Sequence, residues 1–403
     1  MQMRQARRLA LLALLAALVA IGCGPVAPTV PPATRPAQSP AASPSTTAAP
    51  TSGRAQIPDL VASMEAAVRA GDRASYLALV DLSDPVFELE HTLWADAWSG
   101  PSPVAQYSLQ LGDEILIGDE LATAQLTVTW ALEGEGQART ATFPAQFTRD
   151  ADGFRYAGER WIERPVPDFV IKVAPGLEGE VPAIAAALPG IYAGVTEDLG
   201  YTPSGSMQIK LYADAEGLVA NTLLSLPAIL GWNEPGEALK LRVDPDLPSL
   251  APIIAHEFSH FLGFDRAGTQ RSRMPWWLDE GVATFVSTAF ESGSGGNRLA
   301  QVIAWNQAGQ LADWDAMAVF EEAPRELWQF AYPQGYAMVR YVTEEYGAEE
   351  RNAWLAAMAT EMDIDQATPA VLGLTFDELD ADFRGWLSAQ ASGGATGQVR
   401  GRA

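Results

Sequence analysis

Cysteine is nearly absent from this chain: Cys23 is the only one in 403 residues. That excludes a disulfide scaffold and any cysteine-rich metal finger. Histidine is almost as scarce, with His91, His256 and His260 alone. Cations are few too: Lys+Arg is 26 against Asp+Glu 50, a formal charge of −24. An acidic surface repels phosphate, which excludes nucleic acid as a partner and electrostatic docking on anionic lipid. Apolar residues are not lacking. At 48% they can build sizeable cores, so global disorder is excluded as well. The length is that of two to three domains at roughly 150 residues each.

The N-terminal residues read as an export signal. Arg4, Arg7 and Arg8 precede an apolar run of 13 residues, Leu9–Ile21. Such a run is too short to cross about 30 Å of hydrocarbon and well sized for a signal peptide. It ends Leu18-Val19-Ala20-Ile21-Gly22-Cys23. This resembles a bacterial lipoprotein box, with Ala20 where that family prefers Leu. The resemblance implies cleavage after residue 22, lipidation of Cys23, and attachment to the extracytoplasmic face of a bacterial membrane. Residues 23–56 then carry Pro, Ala, Thr and Ser with almost no large apolar side chain. They cannot offset their ordering entropy by burial and are expected to form an extended tether. Residues 391–403 are expected to be a frayed tail.

An α+β fold is expected for the rest. In 57–165, Leu60, Met64, Ala67 and Val68 share a helical stripe that breaks at Arg69–Asp72. After Pro103 the period becomes two: Tyr107, Leu109 and Leu111, then Leu126, Val128 and Trp130, then Phe143, Ala145 and Phe147. Leu111–Glu114, Glu133–Gly136 and Asp150–Gly153 are read as the loops between them, and Phe154–Trp161 as a last strand. Helices followed by an antiparallel meander are similar in order to the nuclear transport factor 2-like domains. Phe87–Trp94 alternates in a way that, as a strand, sets Glu88, Glu90 and Thr92 opposite Phe87, Leu89 and His91. The lone His91 is read as a packing or surface residue.

The chemistry lies in 166–390. Leu250–Gly263 reads as a buried helix, starting near Pro252 and stopping near Gly263. His256 and His260 are four residues apart, about 40° on a helix of 3.6 residues per turn, so both imidazoles leave one face. Glu257 stands about 100° from His256. This H-E-x-x-H arrangement suits two neutral imidazoles on Zn²⁺, with the carboxylate as general base. Pro275–Phe285 reads as a second helix. Within it, Trp277-Leu278-Asp279-Glu280-Gly281-Val282-Ala283 resembles the W-L-x-E-G-x-A signature of the gluzincin metallopeptidases of the peptidase MA-like branch.

That resemblance implies Zn²⁺ as cofactor, Glu280 as third ligand twenty residues after His260, and a peptide or protein substrate. Asp279 is a rival ligand by adjacency; the residues that orient the histidines are not legible, Asp265 and Asp279 being only nearby. Gly281, Ala283 and Ala289 are expected to let the second helix approach the first. The resemblance also implies an edge strand for substrate, placed at Ala238–Val243, and a downstream helix over Ala331–Gly347 with a closing helix near Leu374–Leu387. It implies a tyrosine that stabilises the oxyanion: Tyr332, read at the start of the downstream helix, with Tyr336 as second choice. The basic loop Asp265–Arg273 is read as solvated, with a substrate-carboxylate site as the other use of Arg266, Arg271 and Arg273. The fold expected is a small helix-plus-antiparallel-sheet domain, then a mainly helical gluzincin domain with an N-terminal β portion. The rival functions are a zinc-fold scaffold lipoprotein without peptidase activity and a hydrolase of a non-peptide amide. Oligomeric state and substrate identity are not legible.

Overall fold

The computed structural model describes residues 51–134, 137–243, 249–268, 273–291, 295–320 and 322–392. The signal segment, Cys23, Arg271 and the chain beyond 392 lie outside the described residues. Among the described residues no helix is long and apolar enough to cross a membrane.

Helix α1 (Thr51–Arg69) begins inside the expected tether. Its apolar stripe extends back to Ile57, which is fully buried beside Leu60, Met64 and Val68. Asp72 accepts from Ser75 N and starts α2 (Arg73–Leu77). The expected strand at Phe87–Trp94 is a helix, α3 (Pro85–Ser99). Asp84 accepts from Val86 N and Phe87 N, and Pro85 sits in the first turn, which together start a helix whatever the local alternation. Helical spacing then turns Phe87, Glu90, His91, Trp94 and Trp98 inward together. Four strands follow in an antiparallel sheet of order β1-β2-β3-β4: β1 (Val104–Ile117), β2 (Leu121–Leu132), β3 (Arg139–Arg149) and β4 (Phe154–Glu159). Leu111–Glu114 is not a loop. It lies within β1, where the pairing shifts register between Leu111 and Ile115, and Ile115 and Ile117 continue onto the core.

The second sheet has order β5-β6-β7-β9-β8. Its strands are β5 (Ile162–Val166), β6 (Phe169–Val173), β7 (Met207–Tyr212), β8 (Gly231–Trp232) and β9 (Leu239–Arg242). It begins at Ile162, a little before the expected start of the catalytic part. Helix α4 (Val181–Leu199) connects β6 to its parallel neighbour β7, and α5 (Ala215–Ala220) lies between β7 and the last two strands. The expected edge strand is interior: β9 pairs with β7 on one side and β8 on the other, and the two-residue β8 forms the edge. Leu239 and Leu241 are fully buried for that reason.

The helical layer comprises α6 (Ala251–Ala267), α7 (Trp276–Ser287), α8 (Gly295–Ala308), α9 (Arg325–Tyr346), α10 (Ala348–Thr360), α11 (Ile364–Ala367) and α12 (Phe376–Ala391). Helix α6 runs through Gly263 and stops at Gly268, whose φ of 61° suits glycine. Ile191 and Val195 of α4 share a core with Ile254, Phe258 and Leu262 of α6, which fixes the face that α6 presents on its other side. The close approach expected of Gly281 is made to α9, not α6. A Cβ on Gly281 would stand 2.5 Å from the carbonyl carbon of Gly335, and one on Gly335 would stand 2.2 Å from Trp277 O. Ala283 is buried in α7, while Ala289 is exposed in the following turn of 3₁₀ helix.

Candidate metal centre

Helices α6 and α7 bring the three expected ligands together. His256 Nε2 lies 3.2 Å from His260 Nε2 and 3.2 Å from Glu280 Oε2, and His260 Nε2 lies 3.5 Å from Glu280 Oε2. A tetrahedral Zn²⁺ with bonds of about 2.0–2.1 Å sets its ligand atoms about 3.3 Å apart. The two histidines and the glutamate therefore fit the ion. Among the described residues this is the one group of three donors close enough to share a metal.

Charge supports the same conclusion. Burial opposes ionisation of Glu280, yet its contacts with His256 and His260 hold the carboxyl well below the usual carboxylate range. Burial likewise opposes a charge on His260, and Asp279 with Glu280 outweighs it, raising the imidazole well above its ordinary value. A pocket that holds a proton against desolvation is one that favours a dication.

Asp279 lies outside the group of donor atoms close enough to share an ion. Its Oδ2 stands 2.9 Å from His260 Nδ1, the nitrogen turned away from the cluster. A carboxylate on the far nitrogen fixes tautomer and ring orientation. Asp265, the other nearby acid, is turned elsewhere and accepts from Tyr201 Oη at 2.6 Å. Two donors hold the outer oxygen of Glu280: Trp276 Nε1 at 3.0 Å and Tyr332 Oη at 3.2 Å. They leave Oε2 aimed at the imidazoles. Trp276 was not singled out in the sequence. Its place one residue before the W-L-x-E-G-x-A run and four before Glu280 was the available signal, since that spacing faces the ligand on a helix.

Glu257 is buried, and burial raises its pKa against the pull of His256 and His260. Its carboxylate rests on β8. A Cβ on Gly231 would come within 2.4 Å of Glu257 Oε1, so any larger residue there would push the carboxylate aside. Tyr332 is 38% exposed, with its ring stacked on His256 at 6.2 Å between centroids. Burial and then Glu280 push its phenol well up, so it stays a proton donor. It sits inside α9, after two turns, rather than at the helix start. Tyr336, the second choice, is buried in the core against Phe285 and does not face the ligands. Arg266 lies over the Tyr201 ring at 4.7 Å and donates to Gly200 O, so its described contacts lead away from the ligands. His91 is buried among Phe87 and Trp94, with Nδ1 3.1 Å from Tyr76 Oη, and has a packing role.

Residues 247–389 match the family model of the Peptidase MA superfamily. No curated protein sequence matches the chain. Among solved structures, the chain is similar to an M1 zinc metallopeptidase from Deinococcus radiodurans at 15% identity, with a TM-score of 0.37 over 70% of this chain and 62% of that one. It is also similar to yeast LTA4 hydrolase in complex with bestatin, at 11% identity and a TM-score of 0.34 over 73% of this chain and 59% of that one. The chain thus spans about three fifths of these structures. The sequence match covers α6, α7 and α9.

Proposed function

We propose that the protein is a zinc metallopeptidase, exported and held to a membrane by lipid on Cys23. The observation that carries the activity is the triangle of His256, His260 and Glu280 donor atoms, with Glu257 beside it. Zn²⁺ held by these residues supplies a Lewis acid for a carbonyl and an acidified water. The protein's own residues do the remaining work. Glu257, raised in pKa by burial, takes the proton of the attacking water and passes it to the leaving amine. Tyr332, protonated and exposed beside Glu280, donates to the oxyanion of the tetrahedral intermediate. Asp279, Trp276 and α9 hold the ligands in place, so that little reorganisation accompanies reaction.

The address rests on sequence features alone: the arginines at 4, 7 and 8, the run to Ile21, and Cys23 as the single cysteine. A lipid anchor and a Pro-rich tether would hold the folded part off the membrane, and acyl chains make surface charge irrelevant to attachment. Metal analysis of purified protein, followed by digestion of a peptide library read by mass spectrometry with and without chelator, tests the activity. Stoichiometric zinc with chelator-sensitive cleavage is expected. Lack of zinc would favour a scaffold lipoprotein, and zinc without cleavage of any peptide would favour a non-peptide amide.

A further inference from the structure

The peptidase reading leaves the N-terminal domain without a task, and the segment Val219–Ala238 supplies one. This stretch belongs by sequence to the catalytic part, yet Val219, Ala220, Leu224 and Leu226 are buried in the core of the N-terminal domain. Ile229 and Trp232 pack against the same core. Four hydrogen bonds fasten the segment's main chain to that domain. Trp94 Nε1 donates to Ala220 O at 3.0 Å, and Trp130 Nε1 donates to Leu224 O at 3.1 Å. Arg139 Nη1 donates to Leu226 O at 2.6 Å. At the far end Ala238 N donates to Glu90 Oε1 at 3.2 Å.

Glu90 is the keystone of a buried ion cluster. It pairs with Lys210 of β7 and, at 3.5 Å, with Lys240 of β9, which also binds Glu237 at 2.8 Å. Burial opposes its ionisation, but the two lysines and Ala238 N hold its pKa down to about 2. Lys240 is the register partner of Trp232, and Leu241 that of Gly231. The segment is therefore held on both sides of β8, and β8 touches Glu257 through Gly231.

We propose that the N-terminal domain is a clamp on the active-site edge strand, and that Glu90 and Arg139 are positioning residues for the reaction. The proposal rests on the peptidase reading for its catalytic consequence. The zinc ligands sit on α6 and α7, whereas the clamp acts on β8 and through it on Glu257. Loosening the clamp should therefore lower turnover and leave metal binding alone. A shift of about 1 Å at a catalytic group can cost about 100-fold in rate.

Arg139→Met is the variant of choice, because Arg139 is half-buried and lies outside the Glu90 ion cluster. Glu90→Gln would leave Lys210 buried without its ion-pair partner and Lys240 with Glu237 alone, and is expected to unfold the chain. With zinc-loaded full-length protein, Arg139→Met should lower kcat on a cleaved peptide tenfold or more at unchanged zinc content. Hydrogen exchange should rise at Leu226 and across β8 and stay unchanged in α6 and α7. Arg139→Lys, which keeps a donor, should restore both. Unchanged kcat, or exchange that rises uniformly over both domains, would overturn the clamp. A zinc-loaded wild type that cleaves no peptide would overturn the peptidase reading instead. The clamp would then stand if exchange rose only at Leu226 and β8, and fall if it did not.

Discussion

Gly281→Ala tests the packing that sets Glu280 against Tyr332. The added Cβ would lie 2.5 Å from the carbonyl carbon of Gly335 and 2.7 Å from its Cα and its oxygen. All three are backbone atoms of α9, so no side chain can yield. Restoring ordinary contact near 3.5 Å requires the helices to part by about 1 Å, and overpacking of this kind costs about 1–3 kcal/mol. Alanine's better helix propensity returns at most about 1 kcal/mol. A net loss of about 1–2 kcal/mol corresponds to a fall in Tm of about 2–8 °C for a domain of this size. The displacement also separates the two helices that join Tyr332 Oη to Glu280 Oε1 at 3.2 Å, so activity should fall along with stability. Gly385→Ala is the control. Gly385 is exposed in α12 with nothing within 4 Å of an added Cβ, and the change should be neutral or stabilising. Thermal unfolding of both variants decides the matter. A Gly281→Ala protein as stable as Gly385→Ala would refute the argument.

Three further outcomes follow from the same geometry. Asp279→Asn removes the carboxylate beside His260 Nδ1 and should weaken zinc binding about 10–100-fold, measured by competition with a chelator; unchanged affinity would show that Asp279 does not orient the ligand. Gly231→Ala sets a Cβ 2.4 Å from Glu257 Oε1 and should cut turnover with little loss of zinc, so full activity in that variant would contradict the contact. The acid limb of stability should carry the signature of His91. Burial lowers its pKa from 6.5 to about 3, so as pH falls through this window the unfolded chain takes up a proton that the folded chain refuses, and stability declines. Glu90 adds to the loss only below its unfolded value of 4.5, down to about 2. His91→Phe should therefore remove about 1.4 kcal/mol per pH unit from the slope between pH 6 and 5. Urea midpoints taken in chelator would show it, and identical slopes for the two proteins would rule the assignment out.

The residues of the candidate metal centre were legible because their signals are local. A spacing of four on a helix and the run Trp277–Ala283 need no knowledge of distant packing. Local signals also misled. Phe87, Leu89 and His91 alternate like a strand, but the Asp84-Pro85 start fixes a helix, and the inward face becomes Phe87, Glu90, His91 and Trp94. Ala238–Val243 alternates as an edge strand would, yet the true edge is β8, only two residues long and without a periodicity to read. The partner of Gly281 proved to be Gly335, a pairing set by how α7 crosses α9. The bonds from Trp94, Trp130 and Arg139 reach main-chain carbonyls some 90 to 130 positions away, and a carbonyl has no identity in the sequence. Glu90 reads as one acid among 50 until the fold sets Lys210 and Lys240 beside it.

The central claim is that Glu257 acts as a base next to a zinc ion it does not bind. Glu257→Gln keeps the shape of the side chain and removes the proton acceptor. Zinc content, measured on the purified variant, should stay at about one per chain, while hydrolysis of a peptide that the wild type cleaves should fall by about 100-fold or more. Undiminished hydrolysis at full zinc occupancy would contradict the account.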